Sequence, residues 1–136
     1  MIPPKNILYK KYLRVEVADT PWKHQEGLQY RDSIAHDAGM IFNFKRSQNL
    51  SFWGLNTYIP LDIAFVSDNK IVKIDHILPL NTHKHVFSDE DCDIAIEANY
   101  NFFADNKIKI GDSIDIHKED LNTFITFGEN NESKIN

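Results

Sequence analysis

Leu61-Asp62-Ile63-Ala64-Phe65-Val66, then Ser67-Asp68-Asn69-Lys70, then Ile71-Val72-Lys73-Ile74-Asp75-His76-Ile77-Leu78 is the stretch that decides the fold. The first run is apolar except for Asp62, which marks a strand covered on both faces. The polar quartet has the residues of a hairpin turn. The third run is the return strand, with Val72, Ile74 and Leu78 expected on one side. Upstream, Leu13, Val15 and Val17 alternate with Arg14 and Glu16, the pattern of a half-buried strand. Thr20 is a good N-cap and Pro21 suits a first helical position, so a short helix is expected to about Tyr30, weakened at Gly27. Met40, Phe42 and Phe44 alternate inward. Residues 45–49 read as a polar turn, 50–53 as a short strand, and 56–60 as irregular because Pro60 cannot sit in a central ladder.

Downstream, residues 83–92 form a polar, acidic stretch expected to be a loop, and Ile94-Ala95-Ile96-Glu97-Ala98 is another strand. Residues 99–106 have room for one or two helical turns carrying Phe102 and Phe103. Residues 108–116 read as two short β segments around Gly111-Asp112. The expected fold class is therefore mostly β: a compact single-domain β-barrel or sandwich with one or two short helices. Residues 1–11 form an N-terminal arm, 12–118 the β domain, and 119–136 a polar tail whose last residues fray.

The totals fit this picture. A chain of 136 residues with 42% hydrophobic and 26% charged residues is one globular domain with a real core. One cysteine, Cys92, excludes an intramolecular disulfide. A net charge of -5 repels phosphate backbones, so no nucleic-acid partner is expected. No stretch has the length of a membrane span, so no membrane association is expected either. Met1-Ile2-Pro3-Pro4-Lys5 has no apolar leader, so the expected location is cytoplasmic, with virion association as the alternative.

Four segments carry a resemblance. They are Ala18-Asp19-Thr20 leading to Gly27-Leu28-Gln29-Tyr30-Arg31; Gly39-Met40-Ile41-Phe42-Asn43-Phe44; Ser51-Phe52-Trp53-Gly54-Leu55-Asn56-Thr57-Tyr58-Ile59-Pro60-Leu61-Asp62-Ile63-Ala64-Phe65; and Ala95-Ile96-Glu97 with Ile110-Gly111-Asp112. From about residue 12 to 117 the chain resembles the family called domain of unknown function 192. The resemblance implies a compact β structure of barrel or sandwich type and no settled activity. Its members occur in bacteria, archaea and some phages, many with export signals. This chain departs from the pattern at Gly54-Leu55, where the family usually has Met-Lys, and at Gln29, where it usually has methionine.

Six residues are candidates for a ligand site: Arg31, Trp53, Asn56, Thr57, Asp62 and Glu97. A carboxylate in an apolar strand must be paired, hydrogen-bonded or protonated, so Asp62 needs a partner, and Arg31 is the natural counter-ion. The competing reading is an architectural ion pair or a turn-capping aspartate. Trp53, Asn56 and Thr57 offer an indole, an amide and a hydroxyl for stacking on a sugar or planar group. Their plainer roles are a core tryptophan and local backbone bonds. Glu97 lies on the side of Ala95, where it either joins Arg31 or Asp62 or faces solvent.

Other chemistry has thinner support. His83 and His85, with His76, Asp89 and Asp91 near in sequence, lack a converging metal set, and no metal is expected. Asp89-Glu90-Asp91 lacks the glycine of a calcium loop. Cys92 reads as a buried inert thiol. There is no Gly-rich phosphate loop, no Gly-x-Ser-x-Gly and no His-Glu-x-x-His, and no cofactor is expected.

Three functions follow, in order. The first is a non-catalytic binding module whose polar cleft takes a small polar or carbohydrate-like ligand. The second is a structural or accessory component of a larger assembly, for example phage-encoded, with a protein partner. The third is an enzyme using Asp62 or Glu97 as acid or base. Oligomeric state is open.

Overall fold

The computed structural model describes residues 3–5 and 11–128. Its elements are β1 (Lys11–Ala18), α1 (Pro21–Glu26), β2 (Ala38–Phe52), β3 (Leu61–Ser67), β4 (Lys70–Ile77), β5 (Val86–Asn99), α2 (Phe102–Asp105), β6 (Ser113–Glu119) and β7 (Asn122–Gly128). The strands hydrogen-bond in the closed order β1-β2-β5-β3-β4-β6-β7. The mostly-β expectation holds, with two short helices.

Local chemistry explains most of these elements. Thr20 accepts a hydrogen bond from the Lys23 backbone N–H at 3.3 Å, and Pro21 opens α1. The helix stops at Glu26, short of Tyr30. Gly27, at φ 50°, turns the chain out, and its N–H donates to the Lys23 carbonyl. β1 and β2 pair in parallel, which requires a crossover, and the segment carrying α1 supplies it. At the 67–70 hairpin, Asp68 and Asn69 both have positive φ, as a tight two-residue turn demands.

β5 lies between β2 and β3 and pairs with both. Gly39 permits the close approach of β2, since a Cβ there would lie 2.1 Å from the Glu97 carbonyl oxygen. The core is double. One cluster fills the ring with Leu13, Ile41, Val66, Ile96, Phe103 and Ile125. The other, including Met40, Phe42, Leu61, Ile63, Phe65 and Ala95, covers the outer face of β2, β5 and β3, together with Leu28 from beyond α1. β3 is therefore buried on both faces, as its composition predicts.

Several expected boundaries move. Residues 45–49 do not end a strand. β2 runs on for 15 residues and bulges, with residues 44–47 standing opposite Asp93 alone. The acidic stretch from Val86 is the first half of β5, paired with the second half of β2, so only residues 83–85 remain loop. A bulge at Phe65/Val66 sends Val72 and Ile74 to different core clusters, and Leu78 is exposed. Residues 108–112 are turn and coil, leaving β6 as the one strand of that segment. β7 lies within the stretch expected as a polar tail and pairs with both β1 and β6. Most of the expected N-terminal arm and the last eight residues lie outside the described residues.

Candidate functional site

The six candidate residues separate into four places. Arg31 does not reach Asp62. It makes a bidentate pair with Glu16, through Nη1 to Oε2 and Nη2 to Oε1, the latter at 2.8 Å. The Arg31 hydrogen bonds hold the Glu16 carboxyl below its ordinary value. Both side chains remain substantially solvated, so the pair contributes about 0–1 kcal/mol.

Asp62 points into the ring and is 1% exposed. Its oxygens accept from the backbone N–H of Asn101 (2.9 Å) and Phe103 (3.2 Å). His76, directly opposite on β4, places Nδ1 2.8 Å away. The N-cap residue of α2, Asn101, gives no side-chain bond, and Asp62 supplies the missing acceptor from β3. Asp62 thus caps the start of α2, and a histidine stands where the arginine was expected.

Asn56 holds Tyr30: its Nδ2 donates to the Tyr30 hydroxyl (2.7 Å), and its carbonyl accepts the Tyr30 N–H (2.8 Å). Asn56 and Tyr30 both have positive φ, so two strained turns lock together.

Trp53, Thr57 and Glu97 line one cavity of about 310 Å³ between α1 and the outer face of β2 and β5. The remaining wall includes His24, Gln25, Glu26 and Gln29 from α1 and its exit, and Phe42, Phe44, Ser51 and Phe52 from β2. Phe52 packs edge-on to Phe42 (centroids 5.0 Å) and Phe44 (6.5 Å), so the apolar wall is continuous. His24 stacks on Phe44 at 4.1 Å, and its Nε2 lies 2.6 Å from the Asn43 carbonyl oxygen. A carbonyl only accepts, so Nε2 is the donor of this bond. The Thr57 hydroxyl donates to the Leu55 carbonyl (3.1 Å), and Trp53 packs against His85 (4.9 Å).

Glu97 is the unusual member. It sits mid-strand, between Met40 on β2 and Ile63 on β3, and is 5% exposed. No described residue hydrogen-bonds or ion-pairs with its carboxyl. Burial alone pushes its pKa from 4.5 to about 8. Glu97 and Asp62 cannot act as a carboxylate pair. Asp62 is opposite Ala98 and Ile63 is opposite Glu97, so the two acids point to opposite faces of the sheet.

Strand alternation sets Glu97 on the side of Ala95, but the solvated face expected there is covered, and Glu97 is buried. The α1 residues and the bulge that carries Phe44 close the cavity, and both are non-local. Elsewhere, Cys92 is buried and burial raises its thiol pKa. Among the described residues no group of three or more His, Cys, Asp or Glu side chains could hold a metal, and no helix is long and apolar enough to cross a membrane.

This β ring with a crossover helix over its outer face is the fold of a family. The profile of domain of unknown function 192, described as uncharacterized ACR, matches residues 5–116, and the chain belongs to that family. It is similar to a Sinorhizobium meliloti protein described as a candidate transcription regulator, at 33% identity and TM-score 0.71, over 74% of this chain and 79% of that one. It is likewise similar to a protein of unknown function from Novosphingobium aromaticivorans, at 31% identity and TM-score 0.71, over 74% and 73%. No curated protein matches the chain.

Proposed function

We propose that this protein is a non-catalytic binding module that takes a small polar ligand in the cavity between α1 and β2/β5. One observation carries the reading: the carboxyl of Glu97, a residue 5% exposed and bonded to no described residue, lines a cavity large enough for a small molecule. Burial disfavours the charged carboxylate, and a ligand that bonds to it offsets that cost. The mixture of aromatic wall and few polar groups is the usual make-up of such sites. Asp62 and Arg31, each satisfied by other residues, are architecture in this reading. The regulator description of the Sinorhizobium relative fits a ligand-sensing role better than direct DNA contact, given the net charge of -5.

The test is a thermal-shift panel of sugars, amines, carboxylates and nucleosides on the wild type and on Trp53→Ala. A ligand near a hundredfold over its Kd should raise the wild-type Tm by roughly 8–11 °C, and the variant by less. A panel that moves neither protein, or both equally, contradicts the reading.

A further inference from the structure

We propose that the ligand of this cavity is a small organic ammonium ion, held by the Glu97 carboxylate against the aromatic wall of Phe44, Phe52 and Trp53. The proposal rests on the cavity being a binding site and adds the chemical class of what it binds.

Charge comes first. The ionisable groups on the cavity wall are Glu97 from β5 and Glu26 and His24 from α1, with no lysine or arginine among them. An anion would meet two acids and no fixed positive charge. A neutral ligand would leave the carboxyl as a protonated donor. A cation alone stabilises the ionised carboxylate, for which no described residue provides a counter-charge. The rings supply the second element, because aromatic faces attract ammonium groups and do so more strongly where water is excluded. Phe52 packs against both Phe42 and Phe44, and Trp53 adds an indole at the more exposed end. His24 is already committed through Nε2 to the Asn43 carbonyl and through its face to Phe44, which leaves Glu97 as the acid facing the ligand from the sheet.

The proton balance gives the proposal a signature. In the empty site the buried carboxyl holds its proton near neutrality. An entering ammonium ion stabilises the carboxylate, so the proton leaves to solvent as the ion pair forms. No other bond is made or broken.

Isothermal titration near neutral pH in two buffers of different ionisation enthalpy tests this, with choline and n-butylammonium as probes. The controls are 3,3-dimethyl-1-butanol, the uncharged isostere of choline, and butyrate. An ammonium probe should bind at least roughly tenfold more tightly than the isostere, releasing close to one proton per ion bound. Glu97→Gln, which keeps the size and shape of the side chain, should lose both the preference and the proton release while melting cooperatively. Equal affinity for choline and its isostere, or ammonium binding unchanged in Glu97→Gln, overturns the assignment. If neither ammonium probe binds but another class of molecule raises the wild-type Tm in the panel, the ammonium assignment alone falls. If that panel is silent as well, the binding-site reading falls with it.

Discussion

At the scale of single residues, an acid buried without a partner is held neutral by the cost of charging it, and it makes stability depend on pH. The folded pKa of Glu97, about 8, lies above its ordinary 4.5. Between those values the folded state binds more protons than the unfolded state. The contribution of Glu97 to stability is therefore full below about pH 4.5, falls as pH rises toward 8, and levels off beyond. Glu97→Gln removes the titration. Urea unfolding should find the variant and the wild type separated most above pH 8, in favour of the variant, by up to about 5 kcal/mol. A gap between the two proteins that is the same at acid and alkaline pH would contradict the burial. Glu16 has the opposite sign. Its pKa is depressed by Arg31, so its small contribution is present above its unfolded pKa and lost as pH falls through the folded one.

The partners of Asp62 are only partly legible in the sequence. The apolar strand marks Asp62 as a carboxylate needing partners, and a cation, Arg31, is the obvious counter-group. Two backbone N–H groups at the start of α2, together with His76, meet the need instead, and backbone donors leave no trace in side-chain chemistry.

At the scale of elements, Asp62 ties β3 to α2. Asp62→Asn places an amide where the acceptors stood, leaving at least one buried N–H without its bond. Chemical denaturation should show a loss of about 1–3 kcal/mol. Ligand-induced stabilisation should be unchanged, because Asp62 and the cavity lie on opposite faces of the sheet. A variant of normal stability that had lost its ligand response would return Asp62 to the site. The elements easiest to read from sequence were those with local signals: Thr20-Pro21 at the start of α1, the 67–70 turn, and the apolar run of β3. β2 and β5 were cut short because their distal halves are polar. Residues 45–49 and 89–91 are largely solvent-facing, and a paired strand with little burial has the composition of a loop.

At the scale of the whole molecule, the ring closes at its narrowest point. β4 and β6 share one register pair, Lys70 with Ser113. Backbone bonds from Ile71 to Asp112 and from Ile114 to Asn69, both 2.9 Å, reinforce it. The ring fixes β2, β5 and β3, and the parallel β1–β2 crossover then carries α1 over their outer face, which creates the cavity. Composition and alternation made the mostly-β class and the family resemblance legible. The cavity was not, because it arises where residues far apart in the chain meet across that crossover.

The account depends on a neutral, cavity-facing acid at position 97, and carbon-13 NMR titration of the glutamate side-chain carboxyls measures it directly. The Glu97 carboxyl should titrate alone with a midpoint about 8, and that midpoint should fall when choline is added. A midpoint near the ordinary 4.5, indifferent to choline, would contradict it.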